Sequence, residues 1–388
     1  MKHLFSLLIM SLSATWAMAE NWQHRLPDNT FISVVSIPGA HDAATGSGWE
    51  EGMEGLGDSY AKTQELTIAE QWTCGVRAFD LRPCVYETYM NLNHGIVPTR
   101  LHFEDVMLQL RDSLLQNPSE FVIIHMLHEK DGDQVSDAYN SHIVQFLKSE
   151  PIKDCLIDYK RGLTVGDMRG KILILSRDKY ATTPIGGFLL NWKVDNVNWS
   201  EQTQGKIQGT NASMAGTLYM QDYSDTHREG GVQTKLDAIK KMLDYSTRYK
   251  TRSATGTRWI FNFASAYSKV ESLFGYEISL SDGYRDNASH TNAFIVDYLR
   301  DNEPGPTGII MMDYAGVDES NGYTTQGKAL VEAIINNNFG YLEDATLSIP
   351  NSVASPTSTV PTYDLTGRRS SHPAHGLYIQ NGRKHIVR

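Results

Sequence analysis

Residues 103–127 read FEDVMLQLRDSLLQNPSEFVIIHML, and the change of period inside this stretch decides the fold. Phe103, Val106, Met107, Leu110, Leu114 and Leu115 recur at spacings of three and four, which puts them on one face of a helix, and Asn117-Pro118 closes it. Phe121–Leu127 follows as a short apolar run of strand length. A helix that hands over directly to a buried strand is one step of an alternating α/β chain.

The same step recurs outward in both directions. Apolar runs at Phe31–Ile37, Val76–Leu81, Ile172–Leu175, Thr217–Met220, Trp259–Phe263 and Ile309–Met312 each stop on polar residues, while Ala293–Leu299 and Ala329–Ile335 carry helical spacing. Strands alternating with helices imply parallel βαβ units, and about seven or eight of them predict a distorted, nearly closed (βα)8 barrel of the TIM-like type. In such a barrel the carboxyl ends of all strands open on one rim. The residues after the runs, His41-Asp42, Asp80 and Arg82, His94, His128-Glu129, Arg177, Asp222, Asn262 and Asp313, are therefore expected to converge.

The ends of the chain read differently from this body. Residues 1–19 run from Lys2 and His3 through apolar Leu4–Leu12 to Ala17-Met18-Ala19, the pattern of a secretory signal, so an exported protein is expected: periplasmic, outer-membrane-associated or extracellular. No cysteine follows the cleavage site to take a lipid, and no later run approaches the roughly 18 apolar residues of a membrane span. The barrel is assigned to 20–345. Residues 346–388 open with the linker composition of Pro350, Ser355-Pro356 and Pro361, then offer two short strands, Tyr363–Arg369 and Gly376–Ile379. This tail resembles the C-terminal appendages of proteins exported by outer-membrane secretion systems; the alternative is a plain flexible tail.

Charge and cysteines narrow the function. A formal charge of −10 argues against nucleic acid, which requires a basic stripe, and against electrostatic adsorption to an anionic membrane. Cys74, Cys84 and Cys155 are an odd number, so a Cys74–Cys84 bridge would leave one thiol over, the other reading being three buried thiols.

The chemistry begins at Ser36-Ile37-Pro38-Gly39-Ala40-His41-Asp42, where Pro-Gly suggests a tight turn fixing the imidazole at the barrel mouth. Asp80 and Arg82 stand two apart on a strand, hence on one face. Asn93-His94-Gly95 adds a second imidazole beside a glycine that permits close approach of a ligand. Two imidazoles and a guanidinium are what an internal transphosphorylation needs: one removes the proton of the attacking hydroxyl, one protonates the leaving alkoxide, and the cation offsets charge on the phosphoryl oxygens. Asp313, buried after its strand, needs a partner for its charge.

Six segments in order make the chain resemble the bacterial phosphatidylinositol-specific phospholipases C: 37–42, 76–82, 93–95, Gly170–Arg177, Gln221-Asp222 and Met312-Asp313-Tyr314, within roughly residues 22–341. The resemblance implies a (βα) barrel and cleavage of phosphatidylinositol, or of glycosylated inositol lipids, at a membrane surface by attack of the inositol 2-hydroxyl, giving diacylglycerol and a cyclic phosphate. It implies His41 as base oriented by Asp313, His94 as acid assisted by Asp42, Arg82 on the phosphoryl group beside Asp80, and Arg177 and Asp222 on inositol hydroxyls. Two positions depart from it. A basic residue is expected after the fourth strand, where His128 or Lys130 stands, and the expected tyrosine falls one position early as Tyr223.

No cofactor or metal is expected, since Arg82 supplies the cation, and a monomer is expected. Trp49, with Met53 and Leu56, and Trp192 and Trp199 lie in loop-like stretches that suit rim contacts with lipid. The alternatives are a metal-dependent glycerophosphodiesterase on the same barrel, which would want several carboxylates round one ion, and a non-catalytic lipid- or glycan-binding module, which would not need both histidines.

Overall fold

The computed structural model describes residues 21–342, apart from 87–88, 130–135, 195–199, 201–203, 229, 250–253 and 274, together with four short strands beyond residue 361. The expected signal at 1–19, the expected linker, Lys130 and Trp199 lie outside the described residues.

In chain order the strands of the body are β1 (Ile37–Ala40), β2 (Ala78–Leu81), β3 (Pro83–Tyr86), β4 (Tyr89–His94), β5 (Val97–His102), β6 (Val122–Met126), β7 (Ile172–Ser176), β8 (Gly187–Leu190), β9 (Gln204–Gln208), β10 (Gly216–Gln221), β11 (Arg258–Phe263), β12 (Val270–Leu273), β13 (Tyr276–Ser279) and β14 (Ile309–Met312). Nine of them close a barrel in the order β1-β14-β11-β10-β9-β8-β7-β6-β2. All neighbours are parallel except β9, which is antiparallel to both β8 and β10. The barrel is thus closed and carries one inverted strand more than the eight-stranded pattern expected from the sequence.

Burial explains which strands were legible. Every residue of β6 and β7 is buried, as a strand covered by helices on one face and barrel interior on the other must be. β9 is polar and half-exposed, so its sequence carries no apolar run. The helix Phe103–Gln116 buries Phe103, Val106, Met107, Leu110 and Leu114 as read. Leu115 is 72% exposed instead, being one residue round the helix from Leu114 and so off the stripe.

Two other readings change. Phe31–Ile37 is not one strand: Ile32–Val34 makes a 3-10 turn and β1 begins only at Ile37. Nor is Pro38-Gly39 a turn; both lie inside β1, paired with Ile310 and Met311 of β14. A Cβ on Gly39 would stand 2.6 Å from Met311 Sδ and 3.2 Å from Ala78 Cβ, so this glycine serves the close approach of β1 to its two neighbours.

Just before β2, Arg77 is fully buried and donates through Nε to the equally buried Glu120 at 3.1 Å. Removing either partner would leave an uncompensated buried charge, typically a loss of about 3–5 kcal/mol.

Two excursions from the barrel matter for function. β3, β4 and β5 form an antiparallel sheet between β2 and the helix 103–116, and β12 and β13 form a hairpin between β11 and the helix Ser281–Asp301. Among the described residues no helix is long and apolar enough to cross a membrane. No disulfide joins any of the three cysteines, so Cys74 and Cys84 are not bridged. The chain divides into two compact units, Met1–Ala345 and Thr346–Arg388. The second holds a four-stranded antiparallel sheet of Thr362–Asp364, Arg369–Ser370, Gly376–Gln380 and Arg383–Val387, twice the strand number read from the sequence.

Candidate active site

The carboxyl ends of β1, β2, β7, β10 and β14 deliver His41, Arg82, Arg177, Asp222 and Asp313 to one rim. The backbone makes two uncommon moves there: Asp42 (φ 43°) and Tyr314 (φ 55°), each directly after a site residue, are left-handed. Gln64 staples these two chain ends together. Its Nε2 donates to the carbonyls of His41 (2.8 Å) and Met312 (2.9 Å), and its Oε1 accepts from Ala315 N (2.9 Å).

His94 arrives differently from the expectation. It is the last residue of β4, in the excursion sheet rather than in the barrel. Gly95 beside it has φ 57°, a backbone angle that favours glycine in this turn, and no protein atom lies within 4 Å of an added Cβ. Asn262 also leaves the rim series: it is buried in β11, where it accepts from Gln221 and donates toward Ile239 O on the outer helix.

The two imidazoles face each other edge to face, ring centroids 6.3 Å apart. His41 Nδ1 bonds Asp313 Oδ1 at 2.7 Å, which fixes its tautomer and leaves Nε2 to the cavity. Nε2 has two neighbours with opposite demands: Arg82 Nη2 at 2.9 Å favours a neutral ring, and Asp42 Oδ2 at 3.1 Å favours a protonated one. Burial and Arg82 oppose the charge, but the Asp42 and Asp313 carboxylates outweigh them and push the imidazole up to about 9. On His94, Nδ1 donates to Ala61 O at 2.6 Å, so Nε2 is the atom turned toward Asp42 Oδ2 (3.5 Å) and Tyr284 Oη (3.3 Å).

Arg82 lies at the centre. Its Nε is 2.9 Å from Asp42 Oδ1, its Nη2 3.0 Å from Asp80 Oδ2 and its Nη1 3.2 Å from Glu129 Oε1. Burial opposes the charge of Asp80, yet Arg82 and His125 hold it well below the usual carboxylate range, whereas burial pushes Asp42 up. Atoms of His41, Asp42 and Asp80 lie within 4.8 Å of one another, the spacing of a metal cluster. The guanidinium, bonded to both carboxylates, stands where such an ion would have to be.

A cavity of about 240 Å³ opens beside these groups, walled by His41, Arg82, His94 and Tyr284 on one side and by Arg177, Asp222, Phe263 and Tyr267 among others. Arg177 Nη1 is 3.6 Å from Asp222 Oδ2, and the Trp192 indole donates to that same oxygen at 2.7 Å. This volume is below the ~300–1,000 Å³ of drug-sized ligand sites, so it suits a polar headgroup with its tails outside.

Several expected residues do not reach it. His128 packs edge to face on Tyr139, ring centroids 4.7 Å apart, and is not on the cavity wall. Tyr223 is 5% exposed and buried beneath the rim, its carbonyl gripped by Lys235 Nζ at 2.5 Å; Tyr267 takes the wall position. Trp49 is 2% exposed and cannot touch lipid, its ring against Gly57 and its indole donating to Asp58 at 3.0 Å. Trp192 is turned inward over His125, Phe261 and Phe263.

Three contributors went unassigned in the sequence reading. His125, in the middle of β6, holds Asp80 Oδ1 at 2.7 Å. Glu129 ties Arg82 to the His94 turn by accepting from Gly95 N at 2.9 Å. Tyr284 enters from a helix. Only Glu129 had a sequence signal, its place after an apolar run; the others sit within regular elements where position alone does not mark them.

No protein-family model matches the chain. It is 25% identical over 329 residues to the 1-phosphatidylinositol phosphodiesterase of Staphylococcus aureus (strain Newman), covering 82% of this chain and 94% of that protein. It is 27% identical over 163 residues to the 1-phosphatidylinositol phosphodiesterase of Listeria monocytogenes, covering 41% of this chain and 49% of that one. A solved phosphatidylinositol-specific phospholipase C from Staphylococcus aureus shares the fold with TM-score 0.66 at 20% identity, over 82% of this chain and 98% of that one. The enzyme of that name from Listeria monocytogenes shares it with TM-score 0.59 at 21% identity, over 82% and 98%.

Proposed function

We infer that this chain, a relative of the bacterial phosphatidylinositol-specific phospholipases C, cleaves the phosphodiester of phosphatidylinositol by attack of the inositol 2-hydroxyl. The observation that carries this reading is the pair of tautomer-fixed imidazoles presenting Nε2 to one cavity that Arg82 also lines. His41 Nε2 takes the proton of the 2-hydroxyl as its oxygen bonds to phosphorus. The bond from phosphorus to the glycerol oxygen breaks, and His94 Nε2 gives that oxygen a proton. Diacylglycerol and inositol 1,2-cyclic phosphate leave. Arg82 offsets the charge that grows on the phosphoryl oxygens, and Arg177 with Asp222 meets the inositol hydroxyls across the cavity. The test is turnover of phosphatidylinositol vesicles against phosphatidylcholine vesicles, the first cleaved and the second not; equal cleavage would remove inositol recognition from the reading.

The pH profile follows from His41. It accepts a proton only when neutral, and kcat/KM reports the free enzyme. On a nitrophenyl inositol phosphodiester, whose leaving group needs no proton from His94, the rate therefore rises with pH until about 9, where the imidazolium of the resting site is lost. Asp313→Asn removes one of the carboxylates that raise this value and moves the rise to lower pH. A rise at unchanged pH in that variant contradicts the assignment.

Export is supported by the signal-like residues 1–19, and a monomer fits the site being built from one chain. With Trp49 buried and Trp192 turned inward, contact with the membrane is assigned to other residues. Ile96 in the β4–β5 turn and Tyr276 on β13, on the two excursions, and Val194 on the cavity wall after β8 are 63%, 75% and 55% exposed. With a charge of −10, this contact is hydrophobic rather than electrostatic. Ile96→Ser with Tyr276→Ser should cut turnover of vesicles severalfold while a water-soluble inositol phosphodiester is cleaved as before; an equal fall on both substrates would assign these residues elsewhere.

A further inference from the structure

The hydroxyl of Tyr284 is a polar group at the site for which the reaction above has no use. Tyr284 stands in the first turn of the helix Ser281–Asp301, is 4% exposed, and lines the cavity between the two histidines, its ring 5.6 Å from that of His94 and 6.4 Å from that of His41. Its Oη lies 3.3 Å from His94 Nε2 and 2.9 Å from Ser279 Oγ, the last residue of β13. A chain of three groups results, Ser279 to Tyr284 to the nitrogen that must hold and release a proton.

Asp42, the other neighbour of that nitrogen, can only accept when ionised, so it holds the ring in its protonated state alone. A phenol both donates and accepts. Burial keeps this one neutral, holding its phenol well above the ordinary range. It can accept from the imidazolium in the resting site, yield that proton to the leaving oxygen, and donate to the neutral ring afterwards, with Ser279 reversing its own hydroxyl to match.

We propose that Tyr284 is a positioning residue for the general acid, keeping His94 Nε2 aimed at the leaving oxygen in both protonation states through the Ser279–Tyr284–His94 chain. The inference rests on the proposed roles of His41 and His94, and it concerns the step in which the glycerol oxygen leaves. Tyr284→Phe keeps the buried ring and deletes one hydrogen bond.

Turnover and spectroscopy test it separately. With phosphatidylinositol, whose leaving group is an alkoxide that needs the proton, Tyr284→Phe should lower kcat by about tenfold, the scale of one hydrogen bond, with KM unchanged. With an inositol phosphodiester of a nitrophenol, which leaves without help, the same variant should match the parent. Ser279→Ala should show the same pattern more weakly. Nitrogen NMR of the His94 ring needs no turnover, so it stands even if the substrate reading fails: Tyr284→Phe should move the Nε2 resonance and leave Nδ1, held by Ala61 O, in place. Equal loss of kcat on both substrates, or an unmoved Nε2 resonance, would overturn the proposal.

Discussion

His41→Ala should lower kcat/KM on phosphatidylinositol by about 10³-fold or more, and a better leaving group should restore none of it. A positioned proton transfer is typically worth about 10²–10⁴ in rate, and of the two histidines on the cavity wall it is His41 whose far side is locked by a buried carboxylate, Asp313 at 2.7 Å. His94→Ala should fall by a similar factor on the lipid but recover most of it on a nitrophenyl inositol phosphodiester, because the departing phenolate needs no proton. The two variants therefore separate by substrate. Circular dichroism should show both folded, since His41 and His94 bond only groups around the rim. Equal losses on both substrates would make the two histidines interchangeable, against the geometry that gives them different partners.

Arg82→Lys should cost about 10²–10³ in kcat, the scale of removing one preorganised transition-state donor. The guanidinium does two jobs that an ammonium cannot do together. It lines the cavity, and its three nitrogens bridge four groups, Nε to Asp42, Nη1 to Glu129, and Nη2 to both Asp80 and His41. Lysine is a point charge with no planar fork, so it would leave at least one of the three carboxylates unpaired as well as losing the phosphoryl contact. Thermal stability is therefore expected to drop too. The discriminating observation is whether kcat falls by much more than the stability loss explains, as it should when the assay is run far below the melting point. Because this cation already sits between the carboxylates that would otherwise gather an ion, activity should survive excess EDTA. Loss of activity in EDTA with recovery on adding calcium would move the metal-dependent reading to first place.

Much of this site was legible because the barrel forces it. Arg82 and Asp313 directly follow apolar runs that form buried strands, Asp80 lies within one of them, and His41-Asp42 follows the short β1, and a barrel brings such ends together whatever their separation. The illegible parts have physical reasons. β9 is half-exposed and inverted, so it shows neither apolar run nor βα step. His94 ends an antiparallel strand outside the barrel, so no βα step marks it, and its convergence on Asp42 is set by tertiary packing. The stretch around Trp49 suggested an exposed loop because glycines and acids surround it. In the fold Gly57 is what makes room for the indole ring, a Cβ there falling 2.1 Å from it, and Asp58 is the indole's hydrogen-bond partner. Likewise Trp192 follows a strand end like a rim residue but turns inward, because Asp222 gives its indole a buried acceptor and Phe261 and Phe263 give its ring a face to pack on.

The central claim is internal attack by the inositol hydroxyl, and phosphorus NMR of the product tests it most directly. Phosphatidylinositol incubated with the protein in EDTA should give a five-membered cyclic phosphodiester as the first phosphorus species, appearing at the rate at which diacylglycerol is released. An inositol phosphomonoester that accumulates from the outset with no cyclic species before it would mean that water, not the 2-hydroxyl, attacks phosphorus, and would contradict the roles assigned to His41 and His94.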